Sequence, residues 1–382
     1  MTPARRWLQD ASASVADLGV LVPIAVALVV GNGLDAGTVL VGTGSLYVLA
    51  GWYFKVPIPV QPIKAAAAIA IARHLSPEAL AAAGILLGMV LILIAVTGAS
   101  RWLAKAFADP IVKGLQLGVG LILVLTAFRI ASPGGHRGSL LVAGVVAVIL
   151  VAAGQRGGRS PVALAIVAGS VAYTLVVSGQ VPGFELALFD PQVNEGALDL
   201  SVIGSALVLL VIPQIPLTFG NAVVAVVDLE HRYFPADAGR VNARAIGLSA
   251  GLANVATGAL TGMPMCHGSG GLTAHYRAGA RSYRMNLVIG LTLLVFGLFF
   301  GPTALAMMAL IPMPVLAGFL AFTGFFHSSL ALSLRGSDLV VAAAMGIVGL
   351  VTTNLALSLG VGLALYWPLR VVLRRRAVAP AR

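Results

Sequence analysis

Few side chains in this sequence could do chemistry, and most of them gather in two short stretches. The first is Lys55-Val56-Pro57-Ile58-Pro59-Val60-Gln61-Pro62, continued by Ile63 and Lys64. The second is Thr261-Gly262-Met263-Pro264-Met265-Cys266-His267, continued by Gly268-Ser269-Gly270-Gly271. Lys64 opens an apolar run, where a lysine in a membrane helix costs about 2.5–3.5 kcal/mol. Two readings stand for it: a charge that pairs with an anionic ligand, or a lysine snorkelling to an interface or paired structurally. Gln61 and Ser269 are neutral donors that either contact the same ligand or cap a helix end. Cys266 and His267 supply a thiol and a base, the parts of a nucleophilic dyad. Adjacent residues on an extended segment point to opposite faces, so these two cannot hydrogen-bond to each other. His267 is left as a ligand donor or proton site on one reading and a structurally bonded histidine on the other.

A third group lies in Pro213-Gln214-Ile215-Pro216-Leu217-Thr218-Phe219-Gly220-Asn221. Gln214, Thr218 and Asn221 fall at i, i+4 and i+7, on one helical face. In lipid such a stripe faces either a cavity or a neighbouring helix. Asp228 and Glu230 follow at the end of the run, as solvated loop charges or as coupling groups. No His/Asp/Glu or Ser/Lys cluster has a spacing usable for catalysis, so an enzyme is not expected. Cys266 is the single cysteine, which leaves no disulfide framework and no cysteine metal site. No cofactor is expected.

The elements that position these residues are set by composition. The 382 residues are 59% hydrophobic and 10% charged, with mean hydropathy +0.99. Soluble domains carry about 25% charged residues, and a water-soluble core could not bury so much apolar surface. The solvent for the excess is lipid. Fourteen membrane elements are expected near 15–32, 36–54, 57–75, 78–99, 110–129, 138–154, 161–178, 200–227, 243–260, 261–279, 285–301, 304–326, 337–353 and 355–373. Arg5 and Arg6 before the first apolar run resemble a signal peptide, but Asp17 and the spans that follow at once indicate an uncleaved first helix. The net charge of +11 is dispersed between spans, which argues against nucleic acid as a partner. With a cytoplasmic N-terminus, most loop arginines fall inside, among them Arg156, Arg232, Arg240, Arg277, Arg281 and Arg335. The outer loop near 179–199 carries Glu185, Asp190, Glu195 and Asp199 without Lys or Arg. That asymmetry places both termini in the cytoplasm of a multi-pass cell-membrane protein.

Spacing also reveals a repeat. Pro59 and Pro264 are separated by 205 positions (264 − 59), and Pro110/Gly114 and Pro314/Gly318 share a P-x-x-x-G pattern at nearly the same offset. They fall on the third and tenth, and the fifth and twelfth, elements. Seven is odd, so a seven-plus-seven chain has an inverted repeat, as many transporters do. The third and tenth elements are interrupted: the prolines force extended chain before a short helix can start. Two half-helices beginning inside the bilayer would direct their N-terminal amides at one point, an anion site made from backbone.

The segments PVQPIKA (59–65), FGNAVVAVVDLEHRYFP (219–235) and GMPMCHGSGGLTAHYRAGAR (262–281) closely resemble the bacterial and plant molybdate transporter family. That family is a relative of the sulfate permeases without their C-terminal STAS domain, in keeping with the few residues after the last span. The resemblance implies the fold of sulfate and nucleobase permeases. A core domain would comprise 1–100 and 200–301, and a gate domain 101–199 and 302–382. It implies that cargo sits between the third and tenth elements, near Gln61, Lys64 and the Gly268-Ser269-Gly270 turn, and moves with the core in an elevator-like step. Molybdate and sulfate are both tetrahedral dianions, so a sulfate transporter is the alternative, and a passive anion channel the alternative from another class. Accumulating an anion against an inside-negative potential makes proton coupling an expectation, although the sequence names no proton carrier. The sequence does not set an oligomeric state; related folds are often dimers, so a homodimer is one option.

Overall fold

Two interruptions in an otherwise helical chain organise the molecule. The computed structural model describes residues 3–14, 16, 18–99, 108–131, 137–155, 162–179, 183, 185–191 and 199–378. In the first half, α1 (Pro3–Ser14), α2 (Leu18–Asn32) and α3 (Ala36–Phe54) lead to the extended pair β1 (Gln61–Pro62). Then follow α4 (Lys64–Arg73), α5 (Pro77–Thr97), α6 (Asp109–Ala131), α7 (Arg137–Gln155) and α8 (Val162–Ser178). The second half begins with α9 (Leu200–Tyr233) and α10 (Ala243–Ala259), then β2 (Met265–Cys266) and α11 (Ser269–Ala278). It continues with α12 (Arg284–Phe299), α13 (Gly301–Ala309), α14 (Met313–Ser329), α15 (Gly336–Thr352) and α16 (Leu355–Val378).

The interruptions meet. β1 and β2 pair antiparallel, with Gln61 opposite Cys266 and Pro62 opposite Met265. Ile63 N–H donates to the Pro264 carbonyl at 3.0 Å. Each extended stretch is entered through a left-handed residue, Lys55 (φ 62°) and Thr261 (φ 57°); for β-branched Thr261 that conformation is strained. Each leads into a ten-residue helix, α4 or α11. Each helix ends at another left-handed position, His74 (φ 51°) or Gly279 (φ 109°). The offset that relates Pro59 to Pro264 therefore relates two whole units of turn, extended chain, half-helix and cap.

Extended backbone at membrane depth must be satisfied by protein, and two buried asparagines do this. Asn286 of α12 accepts from Ile58 N–H at 3.0 Å and donates to the Ile58 carbonyl at 2.6 Å and the Tyr47 carbonyl at 3.2 Å. Asn254 of α10 accepts from Met265 N–H at 2.9 Å and donates to the Met265 carbonyl at 2.6 Å.

Helix packing repeats the symmetry. α3 lies along α12, α5 along α10, and α6 along α14. Glycines face one another at all three crossings. A Cβ on Gly44 would lie 2.7 Å from the Gly290 carbonyl, one on Gly88 2.6 Å from that of Gly251, and one on Gly324 2.6 Å from that of Gly120. Small residues of this kind let membrane helices approach closely. Exchanging the halves converts the first crossing into the second and maps the third onto itself, as an inverted repeat requires. The protein is an all-α polytopic membrane protein with this repeat.

Two elements differ from expectation. A continuous twelfth span at 304–326 is replaced by short α13 and then α14, because Pro312 and Pro314 restart the helix. Pro314 sits in its first turn, where proline is tolerated and where Pro110 sits in α6. Helix α1, absent from the sequence reading, docks on the loop after α11. Its buried Asp10 accepts from Arg281 N–H at 2.8 Å and Ser282 Oγ at 2.5 Å. Asp17 lies outside the described residues.

Candidate functional site

Helix α9 carries the polar stripe, and its backbone is irregular there. Pro213 and Pro216 each remove an N–H, and π-helical turns at Leu207–Val211 and Thr218–Val224 flank them. Such turns absorb the lost hydrogen bonds and often mark functional positions. They present Gln214 to the first turn of α4. Gln214 Oε1 accepts from Ala66 N–H at 3.4 Å, and its Nε2 donates to Thr218 Oγ1 at 2.8 Å.

Beside this contact lies a cavity of ≈ 30 Å³, about twice what a single water needs. Its polar lining comes from Lys64 at the start of α4, Gln214 and Thr218 of α9, Cys266 of β2, Gln116 of α6 and His327 of α14. Ala65, Val119, Leu217 and Ala222 complete the wall. Lys64 Nζ donates to Gln61 Oε1 at 2.6 Å. Among the described residues no Asp or Glu lines the cavity, and Lys64 is in no ion pair. The ammonium is thus held by a neutral amide at the N-terminus of α4, where Ala66 N–H is taken by Gln214, and a helix N-terminus favours negative charge.

Of the residues singled out from sequence, Lys64, Gln214 and Thr218 line the cavity, and Gln61 is one hydrogen bond behind it. Gly268 supports Gln61: a Cβ there would collide with Gln61 Oε1, so the backbone of β2–α11 can approach only without a side chain. Ser269 and Gly270 do not line the cavity, and a Cβ on Gly270 would meet nothing within 4 Å. The side chain of Asn221 lies outside the described residues. His267 points away from the cavity, as its parity with Cys266 requires. Nδ1–H donates to the Pro59 carbonyl at 3.0 Å, joining the two stretches, and Nε2 accepts from Ser249 Oγ of α10 at 3.0 Å, so both ring nitrogens are engaged structurally. Sequence reading missed Gln116 and His327. The available signal was weak: His327 is an ionisable residue in the last turn of an apolar helix, a default functional candidate in membranes, and Gln116 is a neutral polar residue in an apolar run.

The fold matches solved membrane transporters. The transmembrane domain of a cyanobacterial bicarbonate transporter, BicA, superposes with TM-score 0.69 at 16% identity, covering 95% of this chain and 98% of that one. SLC26A9 gives 0.68 at 13% identity over 98% of this chain and 66% of that one. The murine SLC26A9 structure in the inward-facing state gives 0.62 at 14% identity, covering 96% and 68%. The fold is therefore that of the SLC26 and BicA transmembrane domains.

At the level of sequence, the family described as "Molybdate transporter of MFS superfamily" matches residues 9–123 and 206–326. The two matched blocks fall on corresponding parts of the two repeats, and together they exceed half the chain. The chain belongs to this molybdate transporter family. Molybdate transporter 2 of Arabidopsis thaliana is 28% identical over 95% of this chain and 87% of its own length. Molybdate transporter 1 of the same plant is 28% identical over 84% and 79%, and molybdate transporter 1 of Chlamydomonas reinhardtii is 26% identical over 94% and 92%.

Proposed function

We propose that the protein is a secondary active transporter that imports molybdate across the cytoplasmic membrane, with the anion held in the cavity at the start of α4. The observation that carries this reading is Lys64: a cation at membrane depth, bonded to a neutral amide, in a cavity lined by donors and by no carboxylate among the described residues. A tetrahedral dianion supplies the missing counter-charge. Its oxygens would accept from Lys64, Gln116, Gln214 and Thr218, with the N-terminus of α4 adding its positive dipole end. The curated plant and algal relatives, all named molybdate transporters, support the cargo.

Movement follows from which elements share the lining. Lys64, Gln214, Thr218 and Cys266 belong to residues 1–100 and 200–301, the proposed core; Gln116 and His327 belong to 101–199 and 302–382, the proposed gate. An elevator-like step would carry the first set, with its anion, past the second. The arginine asymmetry of the loops supports cytoplasmic termini. The test is uptake into proteoliposomes. Saturable molybdate accumulation that trace sulfate does not displace supports the assignment. Saturable sulfate uptake without molybdate transport would replace the cargo, and currents far above carrier turnover would replace the mechanism with a channel.

A further inference from the structure

The cavity contains a group with no assigned part in anion binding. His327 is half-buried on α14 and faces the same space as Lys64. Its Nδ1 lies 3.0 Å from the Thr323 carbonyl. A carbonyl only accepts, so Nδ1 carries a hydrogen, and in the neutral imidazole Nε2 is a bare lone pair. Among the described residues nothing hydrogen-bonds that nitrogen, and it is not among the fully enclosed polar atoms. His267 and His275 differ. His267 has both nitrogens bonded, and His275 donates from Nδ1 to the Ala13 carbonyl while its enclosed Nε2 lies away from the cavity. His327 alone of these three presents a proton-accepting atom to the cavity.

A lone pair facing an oxyanion is repulsive, whereas a protonated Nε2 is a charge-assisted donor. Charge balance points the same way. A dianion beside Lys64 alone leaves the desolvated site at net −1, and one further proton brings it to zero. We propose that His327 is a proton site linked to anion binding: as the dianion enters, Nε2 takes up one proton and donates it in a hydrogen bond to an anion oxygen, and it gives that proton up again when the core carries the anion away. This rests on the reading that the anion occupies this cavity. The other titratable groups facing His327 there are Lys64 and Cys266; Gln116, Gln214 and Thr218 are neutral. Lys64 is the charged group that shares this lining; two cations side by side repel, so an arriving anion favours the proton uptake.

The test is molybdate binding to purified protein between about pH 6 and pH 7.5, below the ordinary thiol range near 8.5. Wild-type affinity should weaken by up to tenfold per pH unit, the limit for one linked proton. Calorimetry in buffers of different ionisation enthalpy should count one proton taken up per anion. His327→Gln places a neutral amide N–H near Nε2; it should bind molybdate more weakly at pH 6 than wild type does, with a flat pH profile and no proton uptake. A pH-independent wild-type affinity with zero proton uptake overturns the proposal, whether or not the variant folds. So does His327→Gln retaining the wild-type slope. Lys64-independent binding would instead overturn the location of the anion, a separable outcome.

Discussion

Replacing Lys64 by glutamine tests the electrostatic core of the account. The variant keeps a polar side chain within reach of Gln61 and removes only the ammonium. In the wild type Nζ lies 2.6 Å from Gln61 Oε1, and no acidic side chain among the described residues lines the cavity. Anion binding therefore exchanges a dipole for a full counter-charge. Removing one member of a buried, hydrogen-bonded charge pair costs about 2–5 kcal/mol. At about 1.4 kcal/mol per factor of ten, the dissociation constant should rise roughly 30-fold to several-thousand-fold. The anion-free variant should be no less stable, since a cation in lipid is itself costly. Titration of purified protein with molybdate, alongside thermal unfolding, separates the two effects. A dissociation constant within about threefold of wild type in a folded variant would refute the reasoning, because it falls well short of the cost expected for leaving one member of a buried pair alone.

Three further outcomes follow from particular contacts. Cys266, the single cysteine of the chain, lines the cavity, so molybdate should slow its modification by a charged thiol reagent in a saturable way; equal rates with and without the anion would contradict the placement. Gly268→Ala should impair molybdate uptake because the new methyl displaces Gln61, at a cost in the range of about 1–3 kcal/mol for overpacking, whereas Gly270→Ala should transport normally; paired uptake assays distinguish them. Asn286→Leu orphans both backbone groups of Ile58, at roughly 1–3 kcal/mol for each buried unsatisfied group, and should lower the thermal midpoint clearly; an unchanged midpoint would remove the asparagine latch from the account.

Much of this arrangement is legible in sequence because proline and glycine act locally. Pro57, Pro59 and Pro62 cannot form a helix interior, so the interrupted third element follows from backbone chemistry alone, and the 205-residue offset carries the conclusion to the tenth. The polar stripe of α9 was visible for a similar reason, since Gln214 and Thr218 share a face by helical geometry. What periodicity does not encode is which face of a uniformly apolar helix meets the cavity. Gln116 and His327 sit on α6 and α14, helices whose orientation is fixed by the Gly120–Gly324 crossing, a tertiary contact. Parity showed that Cys266 and His267 point apart, but not which of them faces the ligand. The extra helix α1 was missed because its twelve residues are amphipathic and too short to read as a span. The break before α14 turns on Pro312, which the hydropathy of the surrounding run conceals.

The central claim is that a tetrahedral dianion rests against Lys64 where the two extended segments cross. Anomalous diffraction from crystals grown with molybdate locates the metal of the cargo directly. A single strong peak in the cavity, with an oxygen in hydrogen-bond reach of Lys64 Nζ and between α4 and α14, is the expected result. A peak elsewhere in the membrane region, with the Lys64 cavity empty in protein that binds molybdate in solution, would contradict it.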